Sequence, residues 1–317
     1  VTHSESAGVI LIAPHHFPHL EREEALADET GRRLVVAANE DDFHSAVGDA
    51  EIVMMTPYAK LGAEDFTKMT ACRAVVRYGM GYDNIDVDAA SAAGVPVSIV
   101  PDASTEEVAA HALAMGLALV RRLPHGHNAI HEGGWAGSLG TDTPKFSEME
   151  VGIVGMGRIG RLTAGLYKAV GATVHAYDPV AQFAEVRSAS LTDVLEKSDV
   201  VSLHLPLNAD TRNLVDADVI ARMRQGAVLV NVSRGGLVDE AALAEALRGG
   251  HLSGAALDVF STEPLPADNP LRGAPRLILT PHIAWRSNQS LGALQSGAVN
   301  RVRAALAGNP LPDVVTR

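Results

Sequence analysis

Three short apolar runs in the second half of this 317-residue chain each lead into a residue that could do chemistry. Val228 to Val232 runs into Ser233-Arg234-Gly235-Gly236. Ala255 to Val259 carries Asp258 and is followed, after a turn, by Glu263-Pro264. Leu277 to Thr280 runs into Pro281-His282-Ile283-Ala284-Trp285. Arginine, glutamate and histidine at three neighbouring strand ends suit reduction of a 2-oxo acid. A guanidinium fork binds a carboxylate bidentately and polarises the adjacent carbonyl, which a lysine point charge does less well. An imidazole titrates near neutrality and can hand a proton to the carbonyl oxygen as hydride reaches the carbon. A carboxylate beside it favours the imidazolium and holds the ring. Arg234, Glu263 and His282 are therefore the candidate catalytic set. Singly each is ordinary; their convergence on one edge is what points to a site.

Such a set needs a hydride source, and the stretch from Val151 to Pro179 implies one. Val151 to Val154 is a short apolar strand, and Gly155, Gly157 and Gly160 follow at G-x-G-x-x-G spacing as the chain enters a helix. The first glycine permits a tight turn, the second lets the backbone approach a pyrophosphate, and the third lets helix and strand pack closely. The helix N-terminus then offers unpaired N–H groups to the phosphates. Gly171 stops the helix, a second strand passes through Val174 and Tyr177, and Asp178 ends it. A carboxylate there accepts hydrogen bonds from the ribose hydroxyls and repels a 2'-phosphate, so the expected cofactor is NAD rather than NADP.

Around this core the chain reads as two alternating α/β regions. The first has strands at Val9 to Ile12, Leu34 to Ala37, Ile52 to Met55, Ala74 to Val76 and Val95 to Val100, with a helix at Leu20 to Glu29. This predicts a small parallel sheet wrapped by helices. In the loop Arg77-Tyr78-Gly79-Met80-Gly81, the N–H groups of Met80 and Gly81 could converge on an anion, with Arg77 as a nearby cation. A long apolar helix, Glu106 to Arg121, is expected to be buried, and the polar stretch from Pro124 to Glu148 to serve as an arm on a dimer partner. Beyond Asp178, strands at Val200 to Leu205, Val228 to Val232, Ala255 to Val259 and Leu277 to Thr280 complete a six-strand, doubly wound sheet. Helices at Ala217 to Arg224 and Glu240 to Leu247 lie between them. A last helix, Ser287 to Ala307, is expected to cross back to the first region.

Composition narrows the class. The chain is 47% hydrophobic and 20% charged, ordinary for a globular protein, and its length allows two cores. A net charge of -12 without clustered Lys and Arg argues against nucleic acid. The single Cys72 excludes an internal disulfide and suits a reducing compartment. The run from Val9 to Ala13 is too short for a signal-peptide core, and no stretch approaches a membrane span. A cytoplasmic location is the expectation. His15, His16 and His19, and His125, His127 and His131, form two clusters, but neither has a metal-binding spacing or a cysteine partner, so no metal is expected. Trp285 is a candidate flat wall for the substrate.

The segments VVRYGMGYDNIDVDAA, VGIVGMGRIG with HAYDP, HLPLNADTRNLV, LVNVSRGGLVDE, ALDVFSTEP and TPHIAW together resemble the D-isomer-specific 2-hydroxyacid dehydrogenase family. Within it, VPDASTEEVAAHAL and TPHIAW look most like the C-terminal-binding-protein and phosphoglycerate-dehydrogenase-like branch. The resemblance implies two doubly wound parallel-sheet domains, a Rossmann NAD domain inserted into a flavodoxin-like substrate domain. Residues 1–101 and 287–317 would form the substrate domain, and 102–286 the NAD domain with its dimerisation arm. It supports Arg234, Glu263 and His282 as catalytic, and Met80 and Gly81 as the carboxylate site. As cofactor contacts it implies Thr105, Arg158, Ile159, Asp178, Leu205, Pro206, Val232, Ser233, Arg234 and Asp258, with His282 and Ala284 near the nicotinamide. Three features bear on the branch. Ala110 stands where an acidic residue usually precedes the His111 position, no regulatory domain like that of many phosphoglycerate dehydrogenases is expected after Arg317, and Glu263 rather than glutamine speaks against a formate dehydrogenase. The expected activity is NAD-dependent interconversion of a 2-oxo acid and its D-2-hydroxy acid, by a homodimer. The alternative is an NAD(H)-sensing scaffold.

Overall fold

The computed structural model describes residues 8–136 and 143–316. The chain divides into two compact units, residues 1–104 with 287–317, and residues 105–286.

In the first unit, β1 (Val9–Ile12), α1 (Glu21–Thr30), β2 (Arg33–Val36), α2 (Glu40–Ala46), β3 (Ala50–Met55), α3 (Ala63–Lys68), β4 (Ala74–Arg77), α4 (Val87–Ala92) and β5 (Val97–Ile99) follow one another. The five strands form one parallel sheet in the order β2-β1-β3-β4-β5. Both faces are covered, which is why β1 and β4 read as continuous apolar runs rather than alternating ones. Phe43, Phe66 and Ala90 pack on one face. Leu26 and Ala27, with Leu294, Ala298 and Val302 from the last helix, pack on the other. The expected strand at Val95 to Val100 is shorter than its apolar run. Pro96 has no N–H to give a ladder, and at this edge the Ile99 N–H donates to the Asp313 carbonyl at 3.2 Å and the Val315 N–H to that of Val97 at 2.9 Å. The C-terminal segment thus covers an edge strand that would otherwise present open hydrogen-bonding groups.

The second unit contains α5 (Thr105–Val120), α6 (Leu123–His131), β6 (Glu150–Val154), α7 (Arg158–Ala169), β7 (Thr173–Tyr177), β8 (Arg187–Ser188), α8 (Leu191–Lys197), β9 (Val200–Leu203), α9 (Ala217–Arg222), β10 (Val228–Asn231), α10 (Glu240–Arg248), β11 (Gly254–Leu257) and β12 (Leu277–Leu279). The final helix, α11 (Ser290–Leu306), belongs to the first unit. The sheet of the second unit is parallel and seven-stranded, in the order β12-β11-β10-β9-β6-β7-β8. The order reverses between β6 and β9, the switch point beside which open α/β sheets bind ligands. The expected six strands gain a seventh: β8 is a two-residue edge strand, exposed on both residues, so no apolar pattern marks it.

α5 buries a single face, through Val108, Ala112 and Met115, against the sheet and α7, while Ala110 and Ala114 are exposed; alanine, small and apolar, satisfies either environment. The stretch expected as an arm begins with helix α6, opened by Pro124 in its first turn, where a missing N–H costs nothing. None of its residues is buried. Residues 137–142 of that arm lie outside the described residues.

Ile153 in β6 is fully buried beneath the dinucleotide-type turn. Ile153→Ala is expected to destabilise this unit by about 2–5 kcal/mol, read as a lower midpoint in urea unfolding followed by far-UV circular dichroism.

Candidate active site

The G-x-G-x-x-G turn joins β6 to α7, and each glycine has a physical reason. Gly155 has φ 104°, and a Cβ on it would lie 2.6 Å from the His204 backbone carbon. A Cβ on Gly160 would lie 1.9 Å from the Gly155 carbonyl oxygen, so helix and strand could not approach. At Gly157 a Cβ would meet nothing within 4 Å: the space over the turn is open, as a bound pyrophosphate requires. Arg158 and Ile159 open α7, with no side chain capping its N-terminus. At the end of β7 the Asp178 carboxylate accepts hydrogen bonds from the N–H groups of Met156 (2.6 Å), Ala181 (2.7 Å) and Val180 (2.8 Å). Partial burial pushes its pKa up, but these three donors, with Arg161, more than offset that and hold it below the usual carboxylate range. It is ionised and fixed in orientation, with remaining lone pairs for two ribose hydroxyls. The turn and this carboxylate therefore fit a dinucleotide.

The loops after β9, β10, β11 and β12 meet along the same carboxyl edge. The Ser233 hydroxyl donates to the Leu203 carbonyl at 2.8 Å, tying two strand ends together. Leu205 is buried after β9, Pro206 beside it is exposed, and the Pro206 carbonyl accepts from the Thr211 hydroxyl at 2.7 Å. Val232 is buried, and Ser233 and Arg234 are half-buried. Asn231, fully buried, positions them: its Oδ1 accepts from the Ser233 N–H at 3.0 Å and its amide donates to the Arg234 carbonyl at 2.8 Å. The Arg234 guanidinium donates to the Ser233 carbonyl at 2.7 Å. A Cβ on Gly235 would lie 1.8 Å from the Phe260 backbone, so glycine lets this loop pack directly on the one leading to Glu263.

Glu263 and His282 form the centre of the arrangement. One Glu263 oxygen accepts from the Phe260 N–H at 3.0 Å, and the other lies 2.7 Å from His282 Nδ1. A carboxylate accepts only, so Nδ1 carries a proton and Nε2 is left to exchange one. Burial pushes the Glu263 pKa up, but its hydrogen bond and charge interaction with His282, the Phe260 N–H and the Arg234 charge outweigh this and lower it. The carboxylate is thus ionised at neutral pH. His282 has φ 52°, a left-handed conformation that costs a side-chain-bearing residue about 1–3 kcal/mol unless its surroundings hold it.

Those surroundings come from Asp258, which is fully buried. Its Oδ1 accepts from the Thr280 hydroxyl at 2.6 Å and the Ile283 N–H at 2.9 Å, and its Oδ2 from the Ala284 N–H at 2.8 Å. Its main-chain carbonyl accepts from the His282 N–H at 2.8 Å. Since the Thr280 hydroxyl donates to Asp258, the His111 Nε2 contact at 3.2 Å makes His111 the donor to Thr280. Asn231, Thr280 and His111 are thus supporting residues that reading the sequence did not single out. Asn231 and Thr280 sit at strand ends beside assigned residues, which was the available signal; nothing local marked His111 as reaching 169 positions along the chain.

Other expected residues are placed as follows. Thr105 begins α5 and is half-buried. Trp285 is half-buried in the core under the sheet, its indole N–H donates to the His282 carbonyl at 3.1 Å, and Arg286 lies over its ring. Arg77, Met80 and Gly81 belong to the first unit. Arg77 is buried, with its guanidinium turned onto the Tyr78 carbonyl, and Gly79 has φ 116°. The N–H groups of Met80 and Gly81 donate to no other described residue. Among the described residues no three metal-ligating side chains cluster.

Comparison with known proteins agrees with this geometry. Residues 113–284 match the family described as D-isomer specific 2-hydroxyacid dehydrogenase, NAD binding domain. The chain belongs to the D-isomer specific 2-hydroxyacid dehydrogenase family. It is 38% identical over 315 residues to D-3-phosphoglycerate dehydrogenase of Mycobacterium tuberculosis, covering 98% of this chain and 59% of that protein. The chain thus spans less than two thirds of the length of that relative. It is 37% identical over 280 residues to hydroxypyruvate reductase of Blautia hydrogenotrophica, covering 86% of this chain and 87% of the relative. Among solved structures, D-lactate dehydrogenase from Aquifex aeolicus, complexed with NAD and lactic acid, superposes with a TM-score of 0.86 at 27% identity, covering 95% of this chain and 96% of that one.

The site makes two sharp predictions. Asp178→Ala should weaken NADH binding about tenfold, the effect of losing charge-assisted hydrogen bonds, and narrow the preference over NADPH; fluorescence titration with both nucleotides measures this. Thr280→Val leaves His111 and Asp258 each short of a partner. It should cost about 1–3 kcal/mol, seen as a lower unfolding midpoint than for Thr280→Ser.

Proposed function

We propose that this protein is an NAD-dependent oxidoreductase that reduces a 2-oxo acid to its D-2-hydroxy acid and catalyses the reverse. The observation that carries this reading is the 2.7 Å contact between Glu263 and His282 Nδ1, on the same sheet edge as the open G-x-G-x-x-G turn. That turn and Asp178 would hold a nicotinamide dinucleotide, whose chemistry when bound would be to give or take a hydride. The chain's own residues do the rest. Arg234 forks the substrate carboxylate and draws electron density from the adjacent carbonyl. His282 delivers the proton from Nε2 to the carbonyl oxygen in reduction and takes it back from the hydroxyl in oxidation. Glu263 keeps the ring in the required tautomer and stabilises its charged form. Thr105, Leu205, Pro206, Val232, Ser233, Asp258 and Ala284 contact or shape the cofactor site, and Trp285 borders the substrate.

The functional unit is a homodimer in this reading. Leu123, Ile130 and Trp135 are each more than half exposed on or just after α6, none of whose residues is buried. A second copy would cover them. The one thiol, Cys72, has its pKa pushed up to about 12 by burial and suits the reducing cytoplasm. No helix among the described residues is long and apolar enough to cross a membrane.

The test is NADH oxidation, followed by absorbance, against glyoxylate, pyruvate, hydroxypyruvate, phenylpyruvate and branched-chain and phosphorylated 2-oxo acids. Turnover, with the D and not the L product oxidised in reverse, is expected. NADH binding without turnover of any of them would overturn the assignment. His282→Ala should lower kcat by roughly 10²–10⁴-fold while the NADH dissociation constant changes little, and near-normal turnover would remove His282 from its role.

A further inference from the structure

The connection from β11 to β12 carries Glu263 without burying it. Ser261, Thr262, Glu263 and Pro264 are all exposed, so packing does not fix this turn. One Glu263 oxygen accepts the Phe260 N–H, and the carboxylate is therefore only as well placed as the peptide groups between Phe260 and Glu263. The first of these joins Phe260 to Ser261. It is pressed against Gly235, where a Cβ would lie 1.8 Å from the Phe260 carbonyl carbon, and its N–H donates to Glu240 Oε1 at 2.6 Å.

Glu240, the first residue of α10, takes no part in the mechanism above. Its own helix does not use the side chain either: Asp239 is the N-cap, and its Oδ1 accepts from the Ala241 and Ala242 N–H groups, both at 3.0 Å. The Glu240 carboxyl group is turned onto the neighbouring connection instead. Oε1 takes the Ser261 N–H, and Oε2 takes the Asn269 amide at 2.6 Å. Asn269 Oδ1 already accepts the Leu271 N–H at 3.0 Å, so the nitrogen of its amide must face Glu240. At the far end of the helix Arg248 donates to the Pro270 carbonyl at 2.8 Å. α10 thus splints the connection at Ser261 and again at 269–270. Only a short helical turn, Gly235–Leu237, with Val238 and Asp239, separates Glu240 from Arg234. One stretch of chain therefore places both the guanidinium and the turn that carries Glu263.

We propose that Glu240 is a positioning residue for the Glu263–His282 pair: by holding the Ser261 N–H it fixes the turn that presents the Glu263 carboxylate to His282 Nδ1. Its effect on turnover rests on the dehydrogenase reading above; its effect on the imidazole does not. Without Glu240 the Ser261 N–H turns to water and the exposed turn gains freedom. The Glu263 oxygen then leaves its place 2.7 Å from Nδ1, and the ring loses the partner that selects its tautomer.

The experiment compares the wild type with Glu240→Ala, Glu240→Gln and the double variant Glu240→Gln with Asn269→Asp. Glu240→Gln keeps the shape of the side chain but accepts from only one of the two donors. In the double variant donor and acceptor change places: the carboxylate at 269 accepts the Leu271 N–H and the amide at 240, whose oxygen is left for Ser261. The first readout is the pair of ring-nitrogen shifts of His282 in nitrogen-15 histidine-labelled protein, recorded through the carbon-bound ring protons in alkaline buffer and assigned by their absence from His282→Ala. The wild type should show Nδ1 protonated. Glu240→Ala should move toward the Nε2–H form that histidine favours in water, Glu240→Gln should lie between, and the double variant should return to the wild-type pattern. The second readout is turnover with NADH of the 2-oxo acid that the wild type reduces best. In Glu240→Ala kcat should fall about tenfold, part of the roughly 10²–10⁴-fold that proton transfer supplies, with little change in the NADH dissociation constant, and the double variant should recover it. Wild-type ring shifts in Glu240→Ala overturn the proposal even if its unfolding midpoint falls, since that is a structural role only. Altered shifts that persist in a folded double variant overturn it too, as does a wild type without the proton on Nδ1. If Glu240→Ala does not fold, Glu240→Gln decides: its shifts must depart from the wild type and return on adding Asn269→Asp, and failure of either overturns the proposal. A wild type that binds NADH but turns over no 2-oxo acid overturns the dehydrogenase reading alone, and the ring shifts still decide this one.

Discussion

The site depends most on one buried carboxylate. Asp258 is removed from water at the end of β11, where a polar side chain is tolerated only if its oxygens are well supplied with donors. Its donors are the Thr280 hydroxyl and the N–H groups of Ile283 and Ala284, and its carbonyl takes the His282 N–H. The loop that satisfies Asp258 is therefore the loop that carries His282. Its left-handed backbone at His282 follows from that demand. The buried carboxyl group and the geometry of the Glu263–His282 pair are one problem with one solution, in which the Glu263 contact completes the orientation of the ring.

Around this anchor the parallel sheet supplies convergence. Because its strands run the same way, their carboxyl ends lie on one edge, and loops distant in sequence become neighbours. Arg234, Glu263 and His282 come from the connections after β10, β11 and β12, and the phosphate-type turn from that after β6. The loops are then locked together by contacts that tolerate no larger residue or no other side chain: Gly235 against the Phe260 backbone, the Ser233 hydroxyl on the Leu203 carbonyl, the Asn231 amide on Arg234. Rigidity of this kind suits catalysis, since charged groups held in place need little reorganisation during reaction.

Much of this was legible in the amino-acid order. Apolar runs bounded by glycine and proline located the strands of both sheets to within a few residues, because a strand buried on both faces has no room for polar residues. Where strands were overestimated, as at Val95 to Val100 and Val200 to Leu205, an apolar residue continued past the last ladder hydrogen bond into a buried loop. β8 escaped notice because two exposed residues carry no pattern. α6 has no buried apolar stripe to mark it as a helix: its apolar residues Leu123 and Ile130 are more than half exposed.

The sequence by itself determined the glycine turn after β6, the acid at the end of β7, and the arginine, glutamate and histidine of the candidate site, because each is a local choice of residue type at a fixed distance from a strand end. Only the tertiary structure decided which groups hold them. That His111 reaches Thr280, that Asp258 lies beneath the His282 loop, and that Glu240 takes the Ser261 N–H are contacts between segments distant in the chain. Hydrogen bonds and stacking depend on positions to within fractions of an ångström, and those positions are set by how whole elements pack.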